Sequence, residues 1–404
     1  VQKRERVVVT GIGAVTALGS CVAEMWPKLA AGKSGVRYLG GDSLCVPLGA
    51  TPDYRAVAKF GDVDKCSGLA LLAAEEAIQD AALPEKRVCE MDVVFGASKG
   101  GLRSFEVASR RLLKKGPAEI PRNFLNDFTT NSACDRIAAH FGCGGARLNF
   151  VSACATGIHS IIMAARRVAG GKSTMVLAGS SEASLTPLVT AAFDRMGVLS
   201  HGIGEPSAAM RPYDVRRDGF VIGEGSGALV VESLSSAQAR GARIRAEITG
   251  WALGCEAYHI TSMDPSGESI ASAVRSALET ARLTAGNLGY VNSHGTATRQ
   301  NDVVETRALK LAFGNRVRDI PISSTKPMTG HLLGASGSVE AIIAILAIQK
   351  GFVPPTINLT DADVGCDLNY TPRVGLNRNI ENALTLNYGF GGQIGALVLS
   401  KFRP

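Results

Sequence analysis

Asn149-Phe150-Val151-Ser152-Ala153-Cys154-Ala155-Thr156-Gly157 is the stretch whose reading decides the fold. Leu148 to Val151 reads as a short apolar strand, and Ile158 to Ala169 as a helix that is apolar on most sides. Cys154 therefore falls in a strand-to-helix turn, near a helix N-terminus. Unpaired N–H groups and the positive dipole end favour a thiolate there, which makes Cys154 a candidate nucleophile. The bland alternative is a small buried thiol.

Outward from this turn, strand-like and helical runs alternate, which predicts an α/β protein with largely parallel sheets. Strands are predicted at Arg6–Thr10, Asp92–Phe95, Met175–Ala178 and Ala228–Val231, and helices at Val22–Ala31, Gly68–Ala82, Phe105–Leu113 and Cys134–Phe141. The order then repeats. Val7–Gly11 matches Ala246–Gly250, the helix after Gly68 matches Ser269–Ala281, and Val93–Gly96 matches Val291–Gly295. The Cys154 unit matches Ile322–Lys326 with the helix Val339–Gln349, and Ser226–Val231 matches Ile394–Leu399. Five matches in one order predict two pseudo-symmetric halves, 1–233 and 234–404, in a layered αβαβα body. Ligands gather beyond the C-terminal ends of strands in such sheets, so Cys154, His294, Lys326 and His331 are expected to meet near the pseudo-two-fold axis.

Composition sets the remaining bounds. The 404 residues are 46% hydrophobic and 20% charged, which suits a large folded core. The 46 glycines fit a turn-rich enzyme. A net charge of +7 without a long basic run favours an acidic partner and does not imply nucleic acid. Nine cysteines with no CxxC pair point to free thiols and a reducing compartment. Lys3, Arg4 and Arg6 before an uncharged stretch resemble a signal peptide, and Leu18-Gly19-Ser20-Cys21 a lipoprotein site. Val7-Val8-Val9 with Gly11, Gly13 and Gly19 reads better as a buried strand followed by a Gly-rich turn. No other apolar run is expected to span a membrane.

Two of the six histidines, His294 and His331, stand in Gly-flanked turns; His140 and His159 read as structural, and His201 and His259 carry no signal. Lys326 lies in an apolar context and needs a partner, for which Glu305 is the nearest candidate in sequence. Asn387-Tyr388-Gly389-Phe390-Gly391-Gly392 is either a mobile gate or a tight turn between strands.

Taken together, the motifs resemble the β-ketoacyl-[acyl-carrier-protein] synthases of the elongating type, in the thiolase superfamily. They are Val8–Gly13, Ser152–Gly157, Arg211-Pro212-Tyr213-Asp214 with Arg217–Phe220, Gly223-Glu224-Gly225, His294-Gly295-Thr296 with Thr298, Lys326–His331, and Gly389–Gly392. The resemblance implies a thiolase-like fold and a decarboxylating condensation. Cys154 would carry the acyl chain, and His294 and His331 would hydrogen-bond the malonyl thioester carbonyl. The backbone N–H groups of Cys154 and Phe390 would form an oxyanion hole. Lys326, paired with Glu305, would set the electrostatics, with Thr296, Thr298 and Asp302 in support. Phe390 would gate a pocket lined by Phe193. No metal and no soluble cofactor is implied, since phosphopantetheine arrives on an acyl carrier protein. A dimer is implied, either homodimeric through Leu148–Val151 or heterodimeric with a chain-length-factor subunit. A cytoplasmic or organelle-stroma setting is implied too.

Departures from the family pattern lie at Ser293, Ala297, Arg299-Gln300-Asn301, Tyr388 and Gln393-Ile394. They leave fatty-acid and polyketide elongation both open. A chain-length-factor-like subunit would lack the reactive Cys. A thiolase would need a second Cys near Gly389–Gly392, and a papain-like hydrolase does not suit a two-His, Lys-containing set.

Overall fold

A computed structural model describes residues 5–40, 46, 48–202 and 204–404; Lys3, Arg4 and Cys45 lie outside them. Ten strands form one mixed sheet. In chain order they are β1 (Val7–Val15), β2 (Asp92–Gly96), β3 (Arg147–Leu148), β4 (Met175–Glu182), β5 (Gly225–Ser233), β6 (Ala246–Cys255), β7 (Tyr290–Asn292), β8 (Ile322–Ser323), β9 (Asn382–Gly389) and β10 (Gln393–Ser400). Their spatial order is β8-β7-β9-β10-β6-β1-β5-β4-β2-β3. The sequence reads the same outward from the β6/β1 junction in both directions, which is the internal repeat made visible. Among the described residues, three pairs, Val7–Val9 with Ala246–Ile248, join the two half-sheets.

Helices α1 (Lys65–Asp80) and α2 (Ser132–Phe141) cover the outer face of one half-sheet. Between the half-sheets lie α3 (Thr156–Ala169) and, later in the chain, α6 (Ser336–Lys350). Helices α4 (Glu268–Ala281) and α5 (Arg299–Phe313) cover the outer face of the second half. The result is the five-layered αβαβα body.

Glycines make the repeat close. A Cβ on Gly11 would stand 2.1 Å from Ala77 O, and one on Gly250 would stand 2.2 Å from Ala277 O, so in each half a helix presses directly on a strand. Gly11 and Gly13 therefore lie within β1, not in a turn after it. In the middle layer, a Cβ on Gly157 would meet Ser338 N at 2.5 Å, and one on Gly337 would meet Ile158 N at 2.4 Å. These reciprocal contacts bring the N-termini of α3 and α6 against each other at the pseudo-two-fold axis.

Two expectations change. The run 333–350 is long and apolar enough to cross a membrane by length and composition, but 89% of it is buried as the central helix of the fold. The expected strand Leu148–Val151 is shorter, ending at Leu148. Asn149 Nδ2 donates at 3.0 Å to both Phe95 O and Thr130 O, which takes the chain out of the ladder.

Candidate active site

Cys154 sits in a single 3₁₀ turn, Ala153–Ala155, that leads directly into α3. Ala153 holds a left-handed φ of 47°, an uncommon position for a residue with a Cβ. The turn is pinned by Thr156, whose Oγ1 accepts from Ser152 N at 2.9 Å and donates to Ala153 O at 2.8 Å. His159 adds a second pin, with Nδ1 2.9 Å from Ser152 Oγ and Nε2 3.1 Å from Ile394 O. The Gly389 backbone closes over the turn, since a Cβ there would stand 2.4 Å from Ser152 O and 3.1 Å from Cys154 N.

The repeat places a different residue opposite Cys154 than the sequence matching suggested. The equivalent turn is Leu333–Ala335, leading into α6, with Leu333 at φ 48°. Lys326 instead lies in an inserted segment between β8 and that turn.

Cys154, His294 and His331 line one cavity of about 310 Å³, together with Phe193, Thr296, Thr298, Tyr388 and Phe390. The two imidazole rings stand edge to face, 5.4 Å apart. Their hydrogen bonds fix their tautomers. His331 Nδ1 accepts from Leu333 N at 3.3 Å and lies 3.0 Å from Ser336 Oγ, so its proton is on Nε2. His294 Nδ1 lies 3.4 Å from Asn387 Nδ2, which also donates to Glu340 Oε2 at 2.7 Å and so is oriented with its NH₂ toward the ring. His294 thus also carries its proton on Nε2. Burial holds both imidazoles well below their ordinary pKa, helped by the charge of Lys326. Two neutral rings with Nε2–H donors are the result.

Lys326 is fully buried, but its partner is not Glu305. Lys326 Nζ bonds Glu340 Oε1 at 2.6 Å. The Glu305 carboxylate is taken by the backbone N–H groups of His294 (2.7 Å) and Gly295 (2.9 Å) and by the Tyr213 hydroxyl (3.0 Å). Its work is to hold the His294 turn. Asp302 is also structural: it accepts from Tyr213 N at 2.8 Å beside buried Arg217. Thr296 and Thr298 share a 2.9 Å hydroxyl contact on the cavity wall.

The loop after β9 takes the form of the tight turn between strands. It is a tight hairpin, with Gly389 paired to Gln393, and it carries Phe390 into the cavity, 6.3 Å from Phe193 by ring centroids. Of the departures, Arg299, Gln300, Asn301, Tyr388, Gln393 and Ile394 line the cavity. Ser293 and Ala297 do not. Ser293 Oγ lies 2.7 Å from the Tyr213 hydroxyl oxygen and 3.1 Å from Ser323 O.

Sequence reasoning missed three residues here. Glu340 was legible as the only charge in the apolar interior of SGSVEAIIAILAIQK. Asn387, at the head of the Gly-rich loop, gives no sign of its role in the sequence. His259 lines the cavity from a loop whose sequence carries no signal. Among the described residues no three His, Cys, Asp or Glu side chains are grouped as metal ligands.

The thiolate expectation is corrected. Burial pushes the Cys154 thiol up to about 11, while Lys99 and Lys326 pull it down and Glu182 and Glu340 push it up. Alkylation of Cys154 by iodoacetamide should therefore keep accelerating with pH up to about 11, without an inflection near 6.5. Mass-resolved alkylation rates check this, and a plateau by pH 8 would mean a preformed thiolate.

Comparison with known proteins gives the same answer over the whole chain. Residues 55–237 match the beta-ketoacyl synthase N-terminal domain, and residues 245–360 match the C-terminal domain. A 3-oxoacyl-[acyl-carrier-protein] synthase 2 of Synechocystis sp. is 40% identical over 413 residues, covering 99% of each chain. Among solved structures, a type II PKS acyl-carrier protein in complex with its ketosynthase bound to the hexaketide gives a TM-score of 0.93 at 33% identity, covering 99% of this chain and 100% of that one. The ishigamide ketosynthase/chain length factor gives 0.92 at 29% identity, with the same coverage. The chain belongs to the beta-ketoacyl synthase family.

Proposed function

We propose that this ketosynthase condenses an acyl group held on Cys154 with a malonyl group delivered by an acyl carrier protein, and that its residues divide the work as follows. Cys154 Sγ attacks the acyl thioester of the carrier's phosphopantetheine arm. The N–H groups of Cys154 and Phe390 receive the oxyanion, and the pantetheine thiol leaves with the proton. The malonyl thioester carbonyl then lies against the Nε2–H groups of His294 and His331. Loss of CO₂ leaves an enolate whose oxygen those two donors stabilise. The enolate carbon attacks the Cys154 thioester, the new C–C bond forms, and the cysteine sulfur leaves. Lys326, Glu340 and Asn387 hold His294 and the local field, and Phe390 closes the acyl side.

The observation that carries this reading is the pair of neutral, Nε2-protonated imidazoles sharing one cavity with Cys154. Enolate stabilisation needs donors that stay uncharged until charge develops. A hydrolase would need an imidazole positioned as base to the sulfur; here both Nδ1 atoms are occupied as acceptors. A reducing setting such as the cytoplasm fits the free cysteines among the described residues.

Carrier docking is read from the rim. Arg299 lines the cavity and is exposed, and Arg195 is exposed at the end of the helix Pro187–Arg195 that carries Phe193. Asp218 also lines it, so the rim is not uniformly basic. A second subunit, identical or chain-length-factor-like, fits the edge strand β3, beyond which Val151 is 52% exposed.

Incubation with acylated carrier proteins should add the acyl mass at Cys154 and nowhere else. Loading should slow with salt, and Arg299→Glu should raise the carrier KM by about tenfold with little change in kcat. Acylation on another residue, or none with any carrier, would remove the proposal.

A further inference from the structure

The turn after β2 holds a charge that the condensation chemistry leaves unused. Ala97-Ser98-Lys99-Gly100-Gly101 is fixed tightly: a Cβ on Gly100 would stand 2.6 Å from Thr129 O, and one on Gly101 only 1.7 Å from Asp127 O. Lys99 leaves this rigid turn with its side chain 26% exposed. Its ammonium stands 5.7 Å from the centroid of the Phe193 ring, which itself lines the cavity beside Cys154.

Lys99 is held only loosely by its ion pair. Its partner carboxylate, Glu182, is fully buried, and Nζ stands 3.8 Å from it, too long for a hydrogen bond. Glu182 is already satisfied by neutral donors: Ser98 N at 3.1 Å, Gly334 N at 3.2 Å, and the hydroxyls of Ser98 and Ser184. Lys99 Nζ donates to Ser98 Oγ at 2.8 Å. An ammonium carries three donors, so two remain for another acceptor. The charge reaches the reacting groups, since it draws down the Cys154 thiol and the His331 imidazole alike.

A cation against an aromatic wall is poorly placed for an unsubstituted alkyl chain, because methylenes packed there would desolvate it without compensation. It is well placed for a chain that carries an oxygen. We infer that Lys99 selects the acyl group on Cys154, donating to an oxygen within the first few carbons beyond the thioester, so that oxygenated chains are preferred over saturated ones. This rests on the reading of Cys154 as the acylated sulfur.

The test uses the full chain and three N-acetylcysteamine thioesters: hexanoyl, 3-oxohexanoyl and 5-oxohexanoyl. Loading on Cys154 is followed by intact mass. At least one oxo-acyl group should load about tenfold faster than hexanoyl, the size expected of one charge-assisted hydrogen bond partly offset by desolvation. In Lys99→Met that ratio should fall to about one while hexanoyl loading persists, which also reports an intact site. Equal loading of all three by the unaltered protein overturns the inference. So does a Lys99→Met variant slowed by one common factor for every chain, since Lys99 would then act on the sulfur alone. Failure of every thioester to load Cys154 in the unaltered protein overturns the acylation reading itself and is thereby distinguishable.

Discussion

Cys154→Ala should lose condensation by on the order of 10⁴-fold or more, yet continue to release CO₂ from a malonyl thioester. The two outcomes separate because the two half-reactions use different atoms. In the proposed reaction acyl transfer uses the sulfur as nucleophile and as leaving group, and Cys154 is the one cysteine among the residues lining the cavity. Decarboxylation needs the two Nε2–H donors, and these are fixed from behind by Leu333 N, Ser336 and Asn387, with no part taken by Cys154. The complementary variant, His331→Ala, should still become acylated on Cys154 and should lose decarboxylation by about 10²–10³-fold, the usual cost of one oxyanion donor. Product formation and CO₂ release, measured separately on the same samples, decide the matter. Retained condensation in Cys154→Ala sinks the assignment of the nucleophile. Loss of both activities together would mean that the sulfur helps hold the malonyl group.

How much of this was legible in the chain depended on whether a feature is local. The Cys154 turn could be read because a strand, a small-residue turn and a helix follow one another in a dozen residues. The repeat could be read at Gly11 and Gly250 because close strand–helix packing excludes any Cβ at both positions. It was misread at Lys326 because the second half inserts a segment between β8 and α6, so that the symmetry partner of Cys154 is Gly334. Ala153 and Leu333 give no sign of their left-handed backbones, which residues with a Cβ adopt only when the surroundings force them. The choice of Glu305 for Lys326 failed for a related reason. Nearness in sequence says nothing about which carboxylate is already occupied, and Glu305 is consumed by two backbone amides of the turn it supports. Glu340, on a helix otherwise apolar in its interior, has no other reason to be buried.

That buried pair carries the second large effect. Glu340→Leu or Lys326→Met alone should destabilise the protein by about 3–5 kcal/mol, because each leaves its partner charged, desolvated and unpaired. The double variant Lys326→Met with Glu340→Leu should recover most of that loss, since two apolar groups in a dry site cost little once neither charge remains. Denaturant midpoints of the four proteins give the coupling directly. Single variants within about 0.5 kcal/mol of the unaltered protein would show that the pair is not as isolated from water as its burial implies. Activity should not follow stability. In the double variant Asn387 loses the Glu340 oxygen that orients its NH₂ toward His294, so the ring is free to take the wrong tautomer. The positive charge that helps keep both imidazoles neutral is gone as well. Their pKa values should then rise toward 6.5, and decarboxylation should begin to fail on acidification at a higher pH than in the unaltered protein, where the same loss is displaced well below that value. A double variant that is restored in stability and has the unaltered pH profile would leave the pair a packing element with no part in the chemistry.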